Sequence, residues 1–198
     1  MNPESIDPND YLPHTEIIDF GHPAVRRRAE SLVEGATGEI EQAQRLFEWV
    51  RDEIPHTNDI NGRVVTCRAS EVLEHGTGIC YAKSHLLAAL CRAVGIPAGF
   101  CYQRLRKDPP HEGYELHGFN AIYLSGAGGW VRVDARGNKP GVDARFSLNE
   151  ERLAFPVDPA AGEVTYPDIW IAPARAVVQT LQSFDRLDSM WPNLPDRV

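Results

Sequence analysis

The sequence predicts an α+β fold in which a buried helix packs on an antiparallel β-sheet. Runs within residues 23–54 and 68–94 repeat apolar side chains at three- and four-residue steps, the spacing of helix faces. Residues 100 to 148 alternate with the two-residue period of strands, and Pro- and Gly-rich turns between those runs are short enough for antiparallel pairing. A chain of 198 residues with 42% hydrophobic content can bury one real core, so a single domain over 1–198 is expected.

Residues 1–22 are rich in Pro, Asp and His and lack periodicity, which reads as an extended leader lying over the surface. A helix begins at Pro23, a residue suited to the first helical position, and runs to about Val33 before Gly35 stops it. Ile40, Ala43, Phe47, Val50 and Ile54 share one face of a second helix that Pro55 ends. After the aperiodic stretch His56 to Thr66 comes a short helical piece, Arg68 to His75, closed by Gly76. The next helix, Tyr81 to Val94, carries a broad apolar surface (Ala82, Leu86, Ala89, Leu90, Ala93) and is expected to be the most deeply buried. Strands follow at Phe100 to Leu105, Leu116 to Leu124, Trp130 to Ala135 and Arg145 to Leu148. A last helix over about 173–185 turns Val177, Val178, Leu181 and Phe184 inward, and an irregular tail ends the chain.

Charge and composition exclude several classes. Twenty basic residues against 28 acidic ones give a net charge of −8, which disfavours nucleic acid because that binding draws on phosphate neutralisation by clustered cations. The Arg26-Arg27-Arg28 cluster is read as a solvated helix face. The start of the chain has no secretion signal and no run of about 18 apolar residues suits a membrane. Cys67, Cys80, Cys91 and Cys101 are too few and too scattered for a disulfide scaffold, so a reducing, cytoplasmic location is expected.

The chemistry centres on Cys80. It follows the Gly76-Thr77-Gly78 turn at the head of the buried helix, where unpaired N–H groups and the positive end of the macrodipole favour a thiolate. His117 lies in one strand and Asp134 in the next, joined by Ser125-Gly126-Ala127-Gly128-Gly129. If Leu124 pairs with Gly129, His117 and Asp134 become diagonal neighbours on one face; a slip of one residue separates them. A carboxylate that orients an imidazole, which in turn holds a thiolate, is the apparatus of acyl transfer. The Cys80 backbone N–H is the first oxyanion donor, and Gln103 and Asn120 are candidates for the second. Tyr81, Tyr102 and Trp130 are candidates to line an acyl-binding cleft, and Arg136 to bind a substrate carboxylate or remain a solvated charge.

The bland readings are equally definite. Cys67, Cys91 and Cys101 read as small buried hydrophobes. His85 lies about 500° around the helix from Cys80 and points away from it, as a core or surface histidine. The remaining histidines, His56 among them, read as solvated residues of turns and helix ends. No pair has zinc-ligand spacing, and neither metal nor cofactor is required.

The motifs Ala69-Ser70-Glu71-Val72-Leu73, Gly76 to Ser84, Leu116 to Ala121 and Trp130 to Ala135 together resemble the transglutaminase-like superfamily over roughly residues 40–150. The resemblance implies a papain-like core and a catalytic triad of Cys80, His117 and Asp134. The superfamily includes protein cross-linkers, peptidases, deglycosylating amidases and inactive members, so it leaves the reaction open. The expected activity is thioester-mediated acyl transfer from a peptide or protein amide, with hydrolysis favoured over transfer to an amine. The alternative is a catalytically silent module that binds peptides or proteins. Redox sensing by Cys80 ranks last, because no Cys-x-x-Cys supplies a resolving partner.

Overall fold

The computed structural model describes residues 1–108 and 111–198. In chain order its elements are strand β1 (Asn2–Pro3), helices α1 (Pro23–Val33), α2 (Glu39–Glu53), α3 (Ala69–His75) and α4 (Cys80–Ala93), and strands β2 (Ala98–Arg106), β3 (Tyr114–Leu124) and β4 (Gly129–Val133). The short strands β5 (Val164–Thr165) and β6 (Asp168–Ile169) and helices α5 (Arg175–Ser183) and α6 (Leu187–Met190) complete it. The helix boundaries follow the local chemistry. Pro23 opens α1, and Gly76, at φ +64°, ends α3 in the left-handed conformation that glycine adopts at least cost.

The four strands β4-β3-β2-β5 form an antiparallel sheet, and β1 pairs with β6 in a two-stranded parallel ladder. Helix α4 lies against β3 and β2, with α1, α2 and α3 packed around it. Every residue from Tyr81 to Arg92 is buried, as its apolar pattern predicts. Its polar side chains are buried with their partners. Lys83 donates from Nζ to the carbonyls of Ile54 and of Arg51, and Ser84 Oγ to the Tyr81 carbonyl at 2.7 Å. Arg92 spreads its guanidinium over the carbonyls of Ala98, Pro13 and Ile171. These buried hydrogen bonds tie α4 to the end of α2, to the leader and to the sheet.

One expectation is sharpened and one corrected. Residues 1–22 run largely over the surface but are pinned to the core at two points: Tyr11 and Ile18 are fully buried, Tyr11 Oη donates to the Ile169 carbonyl at 3.1 Å, and Ala69 N donates to Ile17 O at 3.0 Å. Single apolar residues, each inserted at a different place, leave no periodicity to read. Residues 145–148 form no strand. The chain bonds locally here instead, with Ala144 N and O both held by the Asn138 side chain and Arg145 N by Arg152 O.

Close packing under the sheet sets a stability prediction. A Cβ on Gly99 would stand 2.5 Å from Ile169 Cγ2 and 3.0 Å from both Trp170 O and Tyr11 Cδ1. Gly99→Ala is expected to destabilise the fold by about 1–3 kcal/mol, read as a lower urea midpoint at unchanged slope.

Candidate active site

Strand register brings the histidine and the aspartate together. Leu124 pairs with Gly129 and Asn120 with Val133, and β4 ends there, so Asp134 follows directly, diagonal to His117. His117 Nε2 and Asp134 Oδ2 are 2.7 Å apart. The carboxylate is fully buried and accepts two further hydrogen bonds, from Arg136 N to Oδ1 at 3.1 Å and from Ala154 N to Oδ2 at 2.9 Å. The imidazole is stacked near Phe119, with centroids 6.1 Å apart, and meets Phe155 edge-on at 4.9 Å. With Nε2 committed to Asp134, Nδ1 is the ring atom left for the thiol.

Cys80 is the first residue of α4, and it lines the same cleft of about 300 Å³ as His117. Gly118 makes the approach possible: a Cβ there would come within 2.8 Å of the Tyr81 ring, so the missing side chain lets the head of α4 sit against β3. Burial alone would pull the His117 pKa down, but the Asp134 charge, the neighbouring Cys80 sulfur and the hydrogen bond to Asp134 push it up to about 10. Burial pushes Asp134 upward in turn, and His117 with the two backbone donors outweighs it, so its pKa is lowered. The site favours a protonated imidazole held by the Asp134 carboxylate.

The other candidates are placed differently. An amide nitrogen carries two hydrogens, and both are occupied in each candidate donor. Gln103 Nε2 donates to Phe155 O at 3.1 Å and Thr165 Oγ1 at 3.0 Å, while Asn120 Nδ2 donates to the carbonyls of Ser84 and Gly99, each at 3.1 Å. Neither side chain lines the cleft, so neither is placed as an oxyanion donor. Gln103 instead holds the loop that presents Ala154 to Asp134 and Phe155 to His117. Tyr81 does line the cleft, with its hydroxyl tied to the Leu116 carbonyl. Tyr102 is buried, its hydroxyl accepting from Ala174 N at 2.8 Å, and Trp130 packs against Tyr11 and Tyr123 away from the cleft. Arg136 lines it, but its guanidinium forks onto Asp59, which also takes Lys139 Nζ at 2.9 Å. His85 is fully buried, bonded to the Cys67 carbonyl, and pushed down to about 4 mainly by that burial.

Among the cleft-wall residues that sequence reasoning missed are His56, Phe155, Trp191 and Leu194. His56 is 4% exposed, so its reading as a solvated turn residue is corrected. Pro55 and Gly78 on either side of the pairing were the only local signals. Among the described residues, no group of three His, Cys, Asp or Glu side chains is arranged to hold a metal ion, and no helix is long and apolar enough to cross a membrane.

A buried helix headed by a cysteine and packed on an antiparallel sheet, with the histidine on one strand and the aspartate just past the end of its neighbour, defines a papain-like α+β core. The chain belongs to the transglutaminase-like superfamily, whose family model matches residues 26–135. Among solved structures, it is similar to a candidate cysteine protease of Cytophaga hutchinsonii at 19% identity and TM-score 0.55, over 67% of this chain and 43% of that one. Weaker likenesses are to the periplasmic domain of TgpA from Pseudomonas aeruginosa (20% identity, TM-score 0.48, 66% of this chain and 48% of that one) and to a candidate protease of Parabacteroides distasonis (12%, 0.40, 76% and 30%). The chain thus spans less than half the length of each. No curated protein matches it.

Proposed function

We propose that the protein is a cysteine-dependent enzyme that cleaves an amide bond of a peptide or protein through a thioester on Cys80. The observation that carries this reading is a thiol at a helix head sharing one cleft with an imidazole whose far nitrogen is held by a buried carboxylate. In the forward step Cys80 Sγ bonds to the carbonyl carbon, and the C=O π pair moves onto oxygen. Collapse of that intermediate breaks the C–N bond, and His117 gives its proton to the departing amine. Water, deprotonated by the then neutral His117, releases the acid; an amine in its place would give a cross-linked product. Apolar walls from Phe155, Pro156, Trp191 and Leu194 suit an acyl side chain, and four unpaired cysteines suit the cytoplasm.

Incubation with p-nitrophenyl acetate tests the reading. One acetyl group is expected on the peptide that contains Cys80, formed with a burst of p-nitrophenolate equal to the enzyme. A folded protein that leaves Cys80 unacetylated would overturn it in favour of the binding module. Iodoacetamide gives a second expected result. Burial pushes the thiols of Cys67, Cys91 and Cys101 up to about 12, so brief labelling at pH 7 should fall on Cys80 alone in a peptide map.

A further inference from the structure

The oxyanion that forms on the substrate carbonyl needs more than one donor, and the two amides suggested by the sequence are engaged elsewhere. Among the described residues that line the cleft, His56 is the buried polar side chain that no hydrogen bond within the protein holds. Its Nδ1 is buried and has no partner, which leaves Nε2 as the ring nitrogen that opens on the cleft. We propose that His56 is the second oxyanion donor, its Nε2–H acting with the Cys80 backbone N–H on the carbonyl oxygen under attack.

The backbone supports that placement. Residue 56 bridges to Gly78 in parallel fashion, Thr57 N donates to Gly78 O at 3.2 Å, and Cys80 lies two residues beyond. Thr57 Oγ1 meets Thr77 Oγ1 at 3.0 Å, and Thr77 Oγ1 also donates to Pro55 O at 2.8 Å. Lys83, one turn into α4 from Cys80, holds the Ile54 carbonyl from the other side. His56 is therefore clamped to the segment that carries the nucleophile, and its ring rests edge-on to Trp191, with centroids 6.3 Å apart. A donor fixed before reaction needs no reorganisation as charge develops.

The protonation state agrees. Burial first, and then the positive charge of Arg136, keep the His56 pKa well below its ordinary value, although Asp59 pulls the other way. A neutral imidazole polarises a carbonyl without giving up its proton, so it leaves acid–base work to His117.

The inference rests on the acyl-transfer reading, and p-nitrophenyl acetate separates the two. The burst reports attack on the ester, and the steady rate reports hydrolysis of acetyl-Cys80; both pass through an oxyanion. In His56→Ala both rates are expected to fall by about 10²-fold or more, with KM changed little. Alkylation of Cys80 by iodoacetamide forms no oxyanion and should keep its rate within about threefold. His56→Gln, which restores an N–H donor, should recover part of both rates and guards against a variant that fails to fold. An unchanged burst in a folded His56→Ala, a loss confined to the steady rate, or alkylation that falls in parallel would each overturn the assignment. A wild type that never acetylates Cys80 sinks the acyl-transfer reading itself.

Discussion

Cys80→Ala is expected to lower the steady rate of p-nitrophenyl acetate hydrolysis by about 10⁴-fold or more and to abolish the burst, while the melting temperature stays within a few degrees of wild type. The separation of these effects follows from where the residue stands. Cys80 is half-buried at the first position of α4, whereas the residues that follow it in the helix are buried and cross-tied. Losing the sulfur removes the atom that bonds to carbon, but it leaves the packing of Ala82, Leu86 and Leu90 untouched. Cys80→Ser keeps the shape and gives an oxygen that is far less ionised beside an imidazolium, so it should be nearly as inactive. Retention of a tenth of wild-type turnover by either variant, measured on protein free of the parent enzyme, would show that the reaction does not pass through this thiol.

How much of this was legible before the fold was known depends on the range of each interaction. Helix boundaries at Pro23 and Gly76 and the deep burial of α4 follow from signals within one or two turns of chain, and the sequence carried them clearly. The pairing of Leu124 with Gly129 is also local, because a four-residue hairpin connection leaves few registers, and a correct register is enough to bring His117 to Asp134. The misses are long-range. Tyr11 meets Ile169 and Arg92 meets Pro13 across more than 75 residues, and no periodic pattern announces contacts of that kind. Gln103 and Asn120 are amides on strands near the right place, but whether an amide is free depends on what surrounds both its hydrogens. That is set by the 153–156 loop and by α4, which no inspection of residues 100–120 reveals. His56 failed for the opposite reason: a lone histidine in an aperiodic stretch has a solvated residue's appearance until Gly78 is placed beside it.

Asp134→Asn tests the electrostatics that hold the site together. The amide can keep a hydrogen bond to His117, but it removes the charge that opposes the burial penalty on the imidazolium. In the wild type His117 holds its proton until pH climbs through about 10, so the proton donor for the leaving group should persist to that limit. Without the carboxylate, burial is the larger influence and drives the pKa down, so the alkaline limb of kcat/KM should move by several pH units, toward or below the ordinary value of about 6.5. At pH 8 the loss is expected to be on the order of 10²- to 10⁴-fold, while at pH 6 it shrinks. Stability must move with the same sign. A group whose folded pKa is raised contributes in full below its unfolded value and loses that contribution as pH rises through the folded one; Asp134, with a lowered pKa, contributes above its unfolded value of about 3.8. The wild type should therefore exceed Asp134→Asn most in urea midpoint between about pH 4 and 6.5, and the gap should close toward pH 10. A gap that is constant across that range, together with an unmoved alkaline limb, would mean that His117 titrates independently of Asp134.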